Sequence, residues 1–113
     1  DKGILIVGSG NMVHNLGLVE IRGGGSRDFN LPFGFDWAIE ANGLFKELIG
    51  QDRHDELADY QSLGEAARLA VPTPEHFLPL LYVLAVKEKG EPVVYFNDKP
   101  VAGSLSMTSF ILG

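Results

Sequence analysis

Gly3-Ile4-Leu5-Ile6-Val7-Gly8 is an unbroken apolar run bounded by glycines. Such a run predicts a strand buried on both faces, as in a parallel sheet covered by helices. Gly8-Ser9-Gly10-Asn11 breaks the run and supplies a turn. Beyond it, 12–19 reads as a short helix or irregular segment, and 23–35 as a loop carrying Gly23-Gly24-Gly25-Ser26 and Pro32. Residues 35–49 read as an amphipathic helix: Asp36 can cap it, Trp37, Ile39, Leu44, Phe45, Leu48 and Ile49 form the apolar stripe, and Gly50 ends it. A polar helix is expected over 52–60, with Leu57 and Tyr60 inward, and another over 63–69, where Ser62 and Glu65 have capping-box spacing.

Val71-Pro72-Thr73-Pro74 stiffens the chain before a helix over 74–87, with Thr73 as cap and Pro74 in the first turn. Apolar residues nearly encircle that helix, which predicts burial, and Pro79 in its second turn predicts a bend. Residues 93–96 read as a strand, Asn97-Asp98-Lys99-Pro100 as a turn, and 104–112 as the last strand. The expected fold class is α/β: a partial mixed sheet with helices packed on it, forming one domain or fragment over 1–113.

Composition narrows the function. The 113 residues carry a formal charge of −6 and a pI near 4.9. Nucleic acid is not an expected partner, because phosphate binding needs a basic footprint. There is no cysteine, so a thiol nucleophile and a zinc ribbon are excluded, and a metal would need His, Asp, Glu or water. Absence of cysteine suits a cytoplasmic protein. No apolar run approaches the roughly 18 residues of a membrane span. The run at 4–7 is too short for the apolar core of a signal peptide, so none is expected.

Gly8-Ser9-Gly10 after an apolar strand invites a dinucleotide-binding reading. The fingerprint needs a third small residue where Val13 stands, so a tight turn is the simpler account. His14 follows that turn, at the kind of loop where α/β proteins gather site residues. It can serve as general base, proton donor or metal ligand, or can be a packed histidine satisfied by backbone. Asn11 and Asn15 flank it and could orient its ring. His76 lies in Pro72-Thr73-Pro74-Glu75-His76-Phe77, where rigid backbone meets a ligand-capable side chain. The positive end of the expected helix would favour its neutral form, while Glu75 reads as a carboxylate complementing the dipole. His54, within Gln51-Asp52-Arg53-His54-Asp55-Glu56, reads as part of a solvated helix face. Tyr82, Tyr95 and Trp37 read as core, and Ser106, Thr108 and Ser109 as the polar face of a strand. No G-x-S-x-G or paired glycosidase carboxylates are evident.

Two stretches carry a resemblance. Ile4-Leu5-Ile6-Val7-Gly8-Ser9-Gly10-Asn11-Met12-Val13-His14-Asn15-Leu16 and Ala70-Val71-Pro72-Thr73-Pro74-Glu75-His76-Phe77-Leu78-Pro79-Leu80-Leu81 resemble the DOPA 4,5-dioxygenase-like branch of the class III extradiol ring-cleavage dioxygenases. The stretch Gly103-Ser104-Leu105-Ser106-Met107 resembles that branch too. The resemblance extends over essentially the whole chain, but members of that family are more than twice as long. It implies that this chain is their C-terminal half, that an N-terminal half of the same protein supplies two metal-binding histidines, and that His54 matches neither. It further implies that His14 is the active-site acid/base, able to approach the metal in some members, and that His76 is a metal ligand. Fe(II) is the implied catalytic metal and Zn(II) an alternative occupant. The implied reaction is extradiol opening of a catechol with O2.

A metal- or partner-binding superfamily member without turnover is the alternative reading, and a free-standing nucleotide-binding module a third. If half of a domain is missing, an exposed apolar patch or a contact with a second copy is expected.

Overall fold

The computed structural model describes residues 2–21 and 31–113. The loop expected around Gly23-Gly24-Gly25-Ser26 lies largely outside the described residues. Among the described residues are four α-helices: α1 (Asp36–Gly50), α2 (His54–Ala58), α3 (Glu65–Ala70) and α4 (Leu78–Leu84). Four short strands follow: β1 (Val93–Phe96), β2 (Pro100–Val101), β3 (Leu105–Ser106) and β4 (Ser109–Leu112). Single 3-10 turns occupy Leu16–Leu18 and Tyr60–Ser62.

The architecture is α/β, but the strands form two antiparallel pairs rather than a mixed sheet. β1 pairs with β4 in the register Val94↔Ile111 and Tyr95↔Phe110, and β2 pairs with β3 in the register Val101↔Leu105. Among the described residues the only parallel pairing is the isolated bridge Gly34↔Gly103. The last strand expected over 104–112 divides at Met107-Thr108. There the Ser106 hydroxyl accepts the Thr108 N–H at 3.2 Å, turning the chain out of one pair and into the other.

The core is helical. α1 buries Ala38, Ala41, Phe45, Leu48 and Ile49 against α3 and α2; of the expected stripe, Phe45, Leu48 and Ile49 are buried, Trp37 and Leu44 pack partly buried, and Ile39 is exposed. Phe77 is fully buried and touches Phe45 and Tyr60, with ring centroids 5.2 and 5.1 Å apart. Burying one such ring contributes roughly 1.5–3 kcal/mol. Asp36 is the first residue of α1 rather than its cap, which is Phe35. Gly64, at φ 108, precedes α3 in place of a Ser62 cap, because the chain there needs a backbone conformation that serine rarely adopts.

Two expectations fail in instructive ways. Residues 4–7 form no strand, and Ile4, Leu5, Ile6 and Val7 are 69, 85, 49 and 79 % exposed. An apolar run becomes a buried strand only when neighbours cover it, and no strand among the described residues does. The helix expected over 74–87 spans only Leu78–Leu84, so Pro79 sits in its first turn, where its missing N–H breaks no helical bond. That helix is not buried all round: Leu80 and Leu84 face the core, whereas Leu78 and Tyr82 are exposed. Tyr82, at 73 % exposure, is therefore not a core residue. Trp37 packs partly buried against the core, and Tyr95 is half-buried.

Candidate functional site

The segment carrying His14 is held on both sides by backbone. The His14 N–H donates to the Ala70 carbonyl at 2.9 Å, at the end of α3. On the other side the Ser106 N–H donates to the Val13 carbonyl at 3.0 Å, and the Asn15 N–H to the Ser104 carbonyl at 3.1 Å. Two buried serines keep that side satisfied, since the Ser104 hydroxyl donates to the Asn15 carbonyl at 2.7 Å and the Ser106 hydroxyl to Asn42 Oδ1 at 2.7 Å.

His76 stands in the turn before α4, not in the helix as expected. The Phe77 and Leu78 N–H groups both donate to the Pro74 carbonyl at 2.9 Å, closing that turn. The buried Phe77 ring anchors it from below, which leaves the neighbouring His76 exposed.

These placements bring together residues 62 positions apart in sequence. The His14 and His76 rings stack with centroids 3.6 Å apart and planes 18° from parallel. The glycines of the Gly8-Ser9-Gly10 turn explain the approach. A Cβ on Gly8 would stand 2.8 Å from the Pro79 carbonyl oxygen and from Val83 Cγ2, and one on Gly10 would collide with the His76 carbonyl oxygen. What reads as a nucleotide fingerprint is here a seat for the 76–83 segment. A recess of about 60 Å³ lies between the two, lined by Gly10, Asn11, Met12, His76, Pro79 and Thr108.

The electrostatics favour a neutral His14. Burial depresses its pKa below the ordinary 6.5, and the neighbouring His76 ring adds to the effect, against an opposing pull from Glu75. The Glu75 carboxyl is held below its ordinary range, first by a hydrogen bond from Thr73 and then by its own backbone N–H, with smaller contributions from His76 and His14. Glu75 thus remains an anion near both rings.

Asn11 and Asn15 do not orient the His14 ring. Their side-chain amides donate to the carbonyls of Ser106 at 2.7 Å and Leu69 at 2.8 Å. His54 lies away from the pair and is not simply solvated: its Nε2 is buried without a hydrogen-bond partner, 3.8 Å from Asp52 Oδ1. Asp52 is bound instead to Lys87 Nζ at 2.6 Å and to the Gly90 N–H at 3.1 Å. Sequence reasoning missed a polar knot of Asn42, Lys46, Asp98, Ser106 and Thr108, in which Thr108 Oγ1 donates to Asp98 Oδ1 at 2.8 Å and Lys46 pairs with Asp98. It borders a recess of about 240 Å³. Its members sit on α1, β3 and two turns, so only the folded chain reveals them as a group.

Among the described residues no three His, Cys, Asp or Glu side chains are grouped to hold a metal ion. No helix among them is long and apolar enough to cross a membrane.

No protein-family model matches the chain. Individual proteins do. The chain is 38% identical over 116 residues to a 4,5-DOPA dioxygenase extradiol of Escherichia coli (strain K12), a match covering 100% of this chain and 40% of that protein. It is 32% identical over 113 residues to a 4,5-DOPA dioxygenase extradiol of Portulaca grandiflora, covering 93% of this chain and 37% of that one. A crystal structure of an uncharacterized Escherichia coli K12 protein superposes with a TM-score of 0.71 at 37% identity, over 93% of this chain and 41% of that chain. The chain matches the C-terminal part of these 4,5-DOPA dioxygenase extradiol relatives, and spans only 37–40% of their length.

Proposed function

We propose that this chain is the C-terminal part of a non-haem, metal-dependent extradiol dioxygenase that opens a catechol-type ring with O2. The observation that carries the proposal is the stacked pair of His14 and His76, each inside one of the two motifs that resemble the family.

The donor chemistry fits a metal in part. His76 is exposed, lines the recess, and offers an imidazole nitrogen of the kind that ligates Fe(II) or Zn(II). Rings stacked face to face direct their in-plane lone pairs along nearly parallel planes, so as stacked the two do not converge on one ion. His76 is therefore assigned as the ligand and His14 as the acid/base, with the remaining ligands supplied from outside this chain. When bound, Fe(II) would bring catechol and O2 together and mediate electron transfer between them.

The residues of this chain then have definite tasks. His14 is neutral near pH 7 and accepts the proton of a catechol hydroxyl through a ring nitrogen. As an imidazolium it can return that proton when the O–O bond breaks. Glu75 compensates the transient charge on His14, since the two interact electrostatically. The Gly8-to-Gly10 turn admits no side chain where it meets His76, and so fixes the pair.

The test is oxygen consumption with Fe(II) and a catechol by the longer protein containing this chain, followed with the absorbance of the ring-opened product. One O2 is expected per ring opened. His76→Ala should abolish iron retention. His14→Gln should keep the iron and lose roughly 10²–10⁴-fold in turnover. Wild-type turnover in both variants would overturn the assignment. Iron binding without turnover by the unaltered protein would favour the non-catalytic reading.

A further inference from the structure

We infer that Asn11 is the positioning residue that holds the His14 and His76 rings in stacking register. Its backbone N–H donates to the His76 carbonyl at 2.7 Å, and its side-chain Nδ2 donates to the Ser106 carbonyl at 2.7 Å.

The other bonds around it make these two decisive. Ser106 commits both of its backbone groups to the segment before His14: its N–H to the Val13 carbonyl at 3.0 Å, its carbonyl to the Asn11 amide. The backbone bridge between His14 and Leu105 extends the same pairing. β3 therefore grips residues 11–14 from one side, while the Asn11 N–H ties them to the turn carrying His76. Apart from the ring stack itself, this N–H is the hydrogen bond that joins the two histidine segments among the described residues. Thr108 and Asn42 sit behind the Ser106 hydroxyl, so the carbonyl that Asn11 binds belongs to a residue already fixed at 3 % exposure.

The residue type follows from the chemistry. The position needs a short side chain ending in an N–H donor, to reach a carbonyl while the backbone N–H points the other way. Asp would set a carboxylate oxygen against the Ser106 carbonyl oxygen, and Ala would leave that carbonyl unpaired beside a half-buried loop. Gly10 acts with Asn11, because a Cβ at Gly10 would strike the carbonyl that accepts the Asn11 N–H.

The catalytic meaning of this register rests on the proposed dioxygenase function, but the register itself does not. The test is accordingly structural, on the 113-residue chain with 13C,15N-labelled histidines at pH 8. In the unaltered chain, ring-to-ring NOEs between His14 and His76 are expected, with upfield ring-current shifts. Asn11→Asp and Asn11→Ala should lose both, while the Phe45–Phe77 ring NOEs persist and report an intact core. Asn15→Ala removes a comparable amide-to-carbonyl bond from the same segment without touching His76, and should leave the histidine NOEs in place. If Asn11→Ala does not fold, the near-isosteric Asn11→Asp decides. Histidine NOEs at full strength in Asn11→Asp would overturn the inference, as would an equal loss in Asn15→Ala. Failure of oxygen uptake in the longer protein would count against the dioxygenase reading and leave this result untouched.

Discussion

The imidazole of His14 lies on that of His76, 3.6 Å between centroids and 18° from parallel, although the main chain takes 62 residues to travel from one to the other. Backbone hydrogen bonds to Ala70 and Ser106 hold one ring's segment, and a proline-closed turn over a buried phenylalanine holds the other. The pair is a product of tertiary structure, and its chemistry depends on that support.

Acid should weaken the fold in part through His14. Its folded pKa lies below the ordinary 6.5, so the unfolded chain binds more protons in the interval between the two. The contribution is fully present above pH 6.5 and is lost as pH falls through the folded value. Urea unfolding followed from pH 7.5 to 5 should show a steeper loss in the unaltered chain than in His14→Gln. Parallel curves would contradict the shift.

Phe77→Ala should cost about 3–5 kcal/mol, the usual range for removing a fully buried phenylalanine. Chemical denaturation measures it. The same variant should broaden the His76 resonances, because the ring it removes anchors the turn carrying that histidine.

Two Gly→Ala changes should move stability in opposite directions. A Cβ at Gly10 meets the His76 carbonyl, so Gly10→Ala should destabilise by about 1–3 kcal/mol. A Cβ at Gly43, on an open face within α1, meets nothing within 4 Å, so Gly43→Ala should stabilise by about 0.5–1 kcal/mol. Differential scanning calorimetry of the two variants settles both signs.

Leu5→Ser should leave the stability of the 113-residue chain within about 0.5 kcal/mol of the unaltered one, as at other exposed positions. A loss of several kcal/mol, the range for truncating a core leucine, would mean that 4–7 is buried after all. The midpoint of urea unfolding distinguishes the outcomes.

Much of this was legible in the sequence where local pattern and tertiary demand agree. The helix at 36–50 with its buried Phe45, Leu48 and Ile49, and the strand at 93–96, are such cases, because periodicity and turn chemistry are local properties. Legibility failed where a neighbour decides. Residues 4–7 have the composition of a buried strand, yet remain exposed without a paired strand. The expected 74–87 helix shrank because the Pro74 carbonyl closes a turn with Phe77 and Leu78, delaying the helix to Leu78. His54 looked solvated because its neighbours in sequence are charged, yet its Nε2 is buried beside Asp52, whose carboxylate is already taken by the distant Lys87. Asn11 drew notice only as a neighbour of His14, and its bond to Ser106, 95 positions away, has no signature in one dimension.

The exposed run at Ile4, Leu5, Ile6 and Val7 turns one part of folding into association. Were a strand supplied in trans to pair with it, the order of that run would be set by concentration rather than by sequence alone. At a hundredfold excess over the dissociation constant such a strand would add about 2.7 kcal/mol to the apparent stability of this chain. Melting temperatures of the 113-residue chain should therefore be compared only at matched protein concentration.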